Sequence, residues 1–423
     1  MGKLLNWAGN YTYSTDNLHL PRSIEEVQRV VTSHNRVKVL GTRHSFNGIA
    51  DSTDHLISLH HLDRVLSVDR DRRTVTVEAG ITYGNLCKYL NDIGLAIHNI
   101  ASLPHISVGG ACATATHGSG DHNGNLATAV CAMEVVTADG EVVNFSRDPR
   151  DPDLNGAVVG LGGIGVVTKL TLDVVPAYQM RQDVYENLPL SELHAQFDDI
   201  FSSAYSVSLF TDWQSANFTQ VWLKRRLTEE GSIVIRADLF GAKLSDVALH
   251  PLQGHAPENC NDQLGITGPW HERLPHFRMD FTPSSGAELQ SEYIIPRMHA
   301  YDALCAIYQL RTHITPLLLI SEVRSIAKDE LWMSPNYQQP SIGIHFTWKD
   351  DWHAVQNVLP LIEEQLAPFR ARPHWGKLFT MKVEQVQSLY DQLPEFQKLL
   401  RHYDPQGKFR NAFLHTYIFG SLE

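Results

Sequence analysis

Residues 41–48 (GTRHSFNG) set a single histidine, His44, in a glycine-bounded turn directly behind the apolar run 37–40 (VKVL). Glycine opens backbone conformations closed to other residues and lets main-chain N–H groups come close to a phosphate, so such a turn is a seat for a pyrophosphate. Farther along, residues 102–120 (SLPHISVGGACATATHGSG) pack glycines, hydroxyls, His105 and His117 into a stretch with little helical periodicity. Two such loops in one segment point to a large cofactor.

The length of 423 residues exceeds an ordinary single core, so two domains are expected. A 43% hydrophobic and 19% charged composition describes a globular chain rather than a disordered one. A formal charge of -12, with no basic run carrying interleaved aromatics, argues against nucleic acid as a partner. The first ten residues lack a signal-peptide apolar core and no run of about 18 apolar residues occurs, so the expectation is a cytoplasmic protein without a membrane partner. Cys87, Cys112, Cys131, Cys260 and Cys305 are odd in number and scattered, without Cys-x-x-Cys spacing, so reduced thiols are expected rather than disulfides or a zinc ribbon. In that compartment the sequons at Asn10, Asn144 and Asn217 carry no meaning.

Along the chain, the Ser-x-x-Glu opening at Ser23 and the apolar spacing of Ile24, Val27, Val30 and Val31 predict a capped amphipathic helix. The alternating run 74–80 predicts a strand, and 83–93 a helix ending before Gly94. Asp139-Gly140 between two β-rich runs predicts a hairpin. Residues 160–165 (GLGGIG) formally match Gly-x-Gly-x-x-Gly. The strand pattern 166–176 follows where that fingerprint needs a helix, so a Rossmann dinucleotide site is rejected. At Pro176 the β-rich, glycine-rich character gives way. Strand-like runs at 206–211 and 220–224 then alternate with helix-like ones at 299–310 and 353–366, predicting a mixed sheet backed by helices.

With both loops and this boundary, the first 176 residues resemble the FAD-binding domain of the vanillyl-alcohol oxidase (PCMH) type, 41–47 matching its first loop and 113–119 (ATATHGS) its second. Residues 269–278 (PWHERLPHFR), 284–293 (SSGAELQSEY), 321–324 (SEVR), 345–348 (HFTW) and 372–377 (RPHWGK) resemble those of bacterial alditol (xylitol/sorbitol) oxidases, so the resemblance spans the chain. It implies an α+β, two-domain fold: an FAD-binding domain at 1–176, a mixed-sheet substrate (cap) domain at 177–370, and a segment at 371–423 returning to the first domain.

The resemblance further implies FAD bonded covalently to His44. A neutral imidazole is a suitable nucleophile for the flavin 8α-methyl group, while the turn alone is equally satisfied by a histidine that packs or hydrogen-bonds there. It places Thr42, Arg43, Ser45, Phe46, Ser107, Gly110, Thr114, Ala115, Thr116, His117, Val167 and His374 on the cofactor, many through backbone groups. It places Ser102, Gln290, Glu322, Arg324, His345, Thr347 and Lys377 around a polyol. An uncharged polyol is held only by hydrogen bonds, so a dense polar set suits it. Glu322 and Arg324 are two apart and on a strand would share a face.

Taking hydride from a primary alcohol requires its hydroxyl to lose a proton. Lys377 and Arg324 are expected to stabilise the developing alkoxide, Glu322 to hold the neighbouring hydroxyl, and His345 to accept the proton or to orient the site. No metal is expected. Oxygen is implied as the electron acceptor with hydrogen peroxide as product; small Ala101 beside Ser102 is compatible with a path for it and equally with simple packing. The expected partners are the polyol and oxygen, with a monomeric chain. A sugar-lactone oxidoreductase of the same fold is the nearest rival. A metal-dependent hydrolase, suggested by 22 histidines, has no His-Glu-x-x-His helix behind it. A non-catalytic carbohydrate binder is the third possibility.

Overall fold

The computed structural model describes residues 3–151, 153–227, 234–279 and 287–420. Positions 284–286 of the 284–293 motif lie outside them.

The helix Ile24–Ser33 begins as its sequence dictates, with Ser23 accepting from the Glu26 N–H. Glu26 reaches back to the Arg22 N–H at 2.7 Å, so both ends of the cap are satisfied. Val27 and Val31 face the core. The helix leads into a parallel sheet in which His55–Ile57 runs between Leu18–His19 and Val37–Val39. Val37–Val39 delivers the chain into the 41–48 turn.

A second, antiparallel sheet runs in the order Val65–Asp69, Thr74–Glu78, Val166–Asp173, Val130–Val136, Val142–Ser146. Its central strand Val166–Asp173 alternates strictly between buried and half-buried residues, the pattern of a sheet with one face in the core. The Asp139-Gly140 hairpin joins Val130–Val136 to Val142–Ser146, with Gly140 at φ +86° where a side chain would be strained. The 102–120 stretch departs from the expected irregular loop, since Val108–Ala113 is a short helix. Tertiary packing explains it: a Cβ on Gly109 would meet Ala79 at 3.0 Å, so this helix is made of small residues for close approach and shows no apolar stripe.

The large sheet of the second half carries every described pairing antiparallel, where a mixed sheet was expected. Its middle runs Gln179–Pro189, Asn217–Arg226, Ser206–Thr211, Leu318–Ile326, Ser341–Lys349, Glu288–Pro296. Gln179–Pro189 and Ser206–Thr211 are joined through the helix Leu193–Phe201 and run parallel. The hairpin return strand Asn217–Arg226 inserts between them, so no parallel neighbours remain. Glu288–Pro296, the helix Ala300–Gln309, Leu318–Ile326 and the inserted Ser341–Lys349 repeat this split β-α-β arrangement. The helix Trp352–Leu366 then returns the chain to Arg372–Pro373 at the edge of Glu288–Pro296.

Candidate active site

A cavity of about 1160 Å³ runs between the two glycine loops and the face of the large sheet. Its first end is walled by residues 41–46, by Ser107, Gly109, Gly110, Thr114 and Thr116, and by a third stretch, Gly160, Leu161, Gly162, Ile164 and Gly165. As expected, a strand follows that third stretch and not a helix. It is nonetheless cavity wall, a role the failed fingerprint concealed. Buried Lys38 clips it in place by donating to the Leu161 and Gly162 carbonyls and to Phe409. Each wall holds one non-glycine residue in left-handed backbone, Arg43 (φ +65°), Ala115 (+52°) and Leu161 (+51°), a strain that collects at binding sites.

These residues fit FAD. A Cβ on Gly41 or Gly110 would come 3.0 or 2.9 Å from Ser107 Oγ, so both glycines keep the floor open. His44 Nε2 is buried without a hydrogen-bond partner, as are both nitrogens of His105, whose ring lies 4.3 Å from that of His44. Burial, reinforced by His105 and Arg43, pulls His44 down to about 3, so its imidazole is neutral. Arg43 turns its guanidinium away to the Leu5 carbonyl and gives its own carbonyl to Trp7. Thr42, Ser45, Phe46, His117, Val167 and His374 also line the cavity, while Ala115 is buried behind it.

At the other end, strand register builds a polar row. Glu322, His345 and Glu292 stand directly opposite one another on three neighbouring strands, with Thr347 and Gln290 paired one step along and Arg324 opposite Gly343. Glu322 and Arg324 share a face as their spacing requires. Lys377 arrives from the C-terminal segment, which is tied to this sheet by His374 N–H to Glu292 C=O and Leu378 N–H to Gln290 C=O. The same segment grips the first loop, through Phe46 N–H to Gly376 C=O and Asn47 Nδ2 to the Trp375 and Lys377 carbonyls. Ser102 and Ala101 complete the wall.

Glu292 is the hub that the sequence reading missed. Its carboxylate takes hydrogen bonds from Lys377 and, at 3.3 Å, from Arg324, and lies 3.1 Å from His117 Nε2. Burial opposes its charge, but Lys377, His117 and Arg324 outweigh burial and hold it well below the usual carboxylate range. Glu322 is likewise held far down, burial being overcome by Arg324 and His276. Burial lowers Lys377, and Glu292 partly restores it. His345 has both ring nitrogens engaged, Nδ1 with Lys377 at 2.9 Å and Nε2 with Thr347 at 3.0 Å, and burial with the Lys377 charge takes it to about 4. Gly343 makes room for the group: a Cβ there would sit 2.9 Å from Glu292 Oε1 and 3.3 Å from His117. The signal for Glu292 was available, since it stands two residues beyond Gln290 on one strand.

Elsewhere, His19, His34 and His55 bring ligand atoms within 4.8 Å of one another. They do not line the cavity. His19 and His55 are hydrogen-bonded at 3.1 Å, and the rings of His34 and His55 are stacked at 3.7 Å.

Residues 16–146 match the FAD binding domain family, and residues 286–417 match the D-arabinono-1,4-lactone oxidase family. Cradle, cavity and matches together define an FAD-binding oxidoreductase. The chain is 47% identical over 418 residues to the alditol oxidase of Streptomyces sp. strain IKD472, a match covering 98% of this chain and 99% of that one. It belongs to the vanillyl-alcohol oxidase-type family of FAD-linked oxidases, in its alditol oxidase group. L-Gulonolactone oxidase of Scyliorhinus torazame is a more distant relative, 24% identical over 98% of both chains. Cholesterol oxidase from B. sterolicum shares the fold, with a TM-score of 0.77 at 13% identity over 98% of this chain and 96% of the other.

Proposed function

We propose that this chain is an FAD-dependent alditol oxidase that converts the terminal primary hydroxyl of xylitol or sorbitol to the aldose, with oxygen reduced to hydrogen peroxide. The observation that carries this reading is the buried row Glu322–His345–Glu292, with Arg324 and Lys377 set into it, in the same cavity as the FAD cradle. Bound FAD supplies the hydride acceptor. Two cations, half-buried Lys377 and buried Arg324, stand against the carboxylates of Glu292 and Glu322, so alkoxide character at the reacting hydroxyl meets ammonium and guanidinium donors already in position. Glu322, Gln290, Thr347 and Ser102 supply the hydrogen-bond pattern that selects a polyol. With both nitrogens engaged, His345 serves as an orienting group for Lys377 and Thr347 rather than as a free proton acceptor.

The reading includes a covalent bond from His44 to the flavin, supported by its neutral ring and its unpartnered Nε2. Thr42, Arg43, Ser45, Phe46, Ser107, Gly110, Thr114, Ala115, Thr116, His117, Val167 and His374 are assigned to FAD, with 1–176 as its domain, 177–370 as the cap and 371–423 as the returning segment. The chain is taken as a cytoplasmic monomer with polyol and oxygen as partners. Among the described residues no helix is long and apolar enough to cross a membrane.

Anaerobic mixing with xylitol should bleach the flavin band. Lys377→Ala and Arg324→Ala should each lower the reduction rate about a hundredfold or more while the protein stays yellow. Near-normal rates in both variants would overturn the assignment. A lactone-oxidising reading is favoured by the match of 286–417, and it is selected if an aldonolactone bleaches the flavin and alditols do not.

A further inference from the structure

Beside Glu322 lies a buried chain of groups that the chemistry above does not use: His276, which lines the same cavity, and Lys224 beyond it. Lys224, on the strand Asn217–Arg226, is fully buried and is not part of the cavity wall. Its ammonium has three N–H bonds and finds three acceptors: the carbonyls of Leu274 and Pro275 and, at 3.2 Å, Nδ1 of His276. An ammonium has no lone pair, so Nδ1 has to accept. Burial, together with the charges of Lys224 and Arg324, takes His276 to about 4, although Glu322 pulls the other way. The ring is therefore neutral and its one proton sits on Nε2. Nε2 lies 2.8 Å from Glu322 Oε1 and donates to it. Edge-on contacts from Phe210 and Trp222, with centroids at 5.4 and 5.3 Å, keep the ring from turning.

We propose that Lys224 and His276 are positioning residues: Lys224 selects the His276 tautomer, and His276 locks the Glu322 carboxylate so that its other oxygen is presented to a polyol hydroxyl. The proposal rests on the reading of Glu322 as a polyol ligand. Arg324 Nε lies 3.5 Å from the same Oε1, so that oxygen is committed to protein groups. Oε2 has no protein donor among the described residues, and Glu322 lines the cavity. A free carboxylate can rotate between hydroxyls on neighbouring carbons, whereas one pinned at Oε1 accepts from one direction. For a ligand without charge this fixed acceptor is a means of setting which hydroxyl is held, and hence which carbon faces the flavin.

Xylitol binding and limiting flavin reduction are measured by anaerobic stopped flow on holoenzyme at about pH 6.5, below the value of about 7 to which burial brings Lys224. Lys224→Met and His276→Asn, whose amide is too short to reach Glu322, should weaken xylitol binding about tenfold, as the loss of one charge-assisted hydrogen bond requires. Their limiting reduction rates should stay within about threefold of wild type. His276→Gln places an amide N–H near the Nε2 position and should restore binding to within about threefold. Glu322→Gln provides the reference. Normal binding by Glu322→Gln removes the polyol reading and the proposal with it. Weakened binding by Glu322→Gln, with Lys224→Met and His276→Asn unchanged, overturns the positioning chain alone. His276→Gln as weak as His276→Asn also overturns it. Should Lys224→Met not accumulate as yellow protein, the His276 pair decides.

Discussion

Replacing Glu292 by Gln changes a charge at almost constant volume, at the point where four of the site's side chains meet. Its carboxylate is fully buried, bonded to Lys377 and Arg324 and 3.1 Å from His117. Removing one partner of a buried ion pair leaves an uncompensated charge and costs about 3–5 kcal/mol. Because its folded pKa is depressed, the stability it contributes is complete above the unfolded carboxyl value and is lost only as pH falls through the folded one, so the full cost appears at neutral pH. The substitution also acts on Lys377. Burial lowers that lysine and Glu292 is the main group raising it, so in Glu292→Gln Lys377 gives up its proton at lower pH. With a cationic Lys377 required for the chemistry, the alkaline limb of the flavin-reduction rate moves to lower pH. The assays are anaerobic stopped flow from neutral to alkaline pH and thermal unfolding followed by flavin fluorescence. An alkaline limb that stays in place, with an unchanged unfolding temperature, would refute the reasoning.

Gly343→Ala drives a methyl into Glu292 Oε1 at 2.9 Å and should cost about 1–3 kcal/mol with a slower reductive half-reaction and normal flavin content, checked by melting and by absorbance ratio. His44→Ala should release its flavin on denaturation, whereas wild type keeps a fluorescent band in a denaturing gel; flavin freed equally from both would end the covalent assignment. Buried His276 and His345, both taken to about 4, bind protons more readily in the unfolded chain. Stability should therefore fall as pH drops from about 6.5 towards about 4, and acid melts of His345→Gln should show a shallower slope than wild type.

What the sequence made legible was local. The Ser23 cap, the Asp139-Gly140 hairpin and the shared face of Glu322 and Arg324 depend on residues a few positions apart, and the structure realises each. What it hid depends on distant segments meeting. Glu292 acquires its role from His117 and Lys377, which reach it from the second glycine loop and the C-terminal segment. The 160–165 stretch was judged by the element that follows it, whereas its place in the cavity wall comes from Lys38, far earlier in the chain. The antiparallel sheet was read as mixed because alternating strands and helices show the crossovers but not the return strand that slips between their two strands. His276 lay inside a recognised motif, yet its meaning needs Lys224 and Glu322 from two separate strands.

The hydrogen bonds from Phe46 and Asn47 to the backbone of Gly376, Trp375 and Lys377 span more than three hundred residues of chain. The turn carrying His44 thus owes part of its shape to a segment synthesised long after it. Until that segment has docked, the glycine loops lack their closing wall, so firm flavin capture is expected to need residues 372–378 as well as the first domain. A chain truncated before Arg372 would be expected to emerge colourless, and cofactor loading would report the docking of that segment.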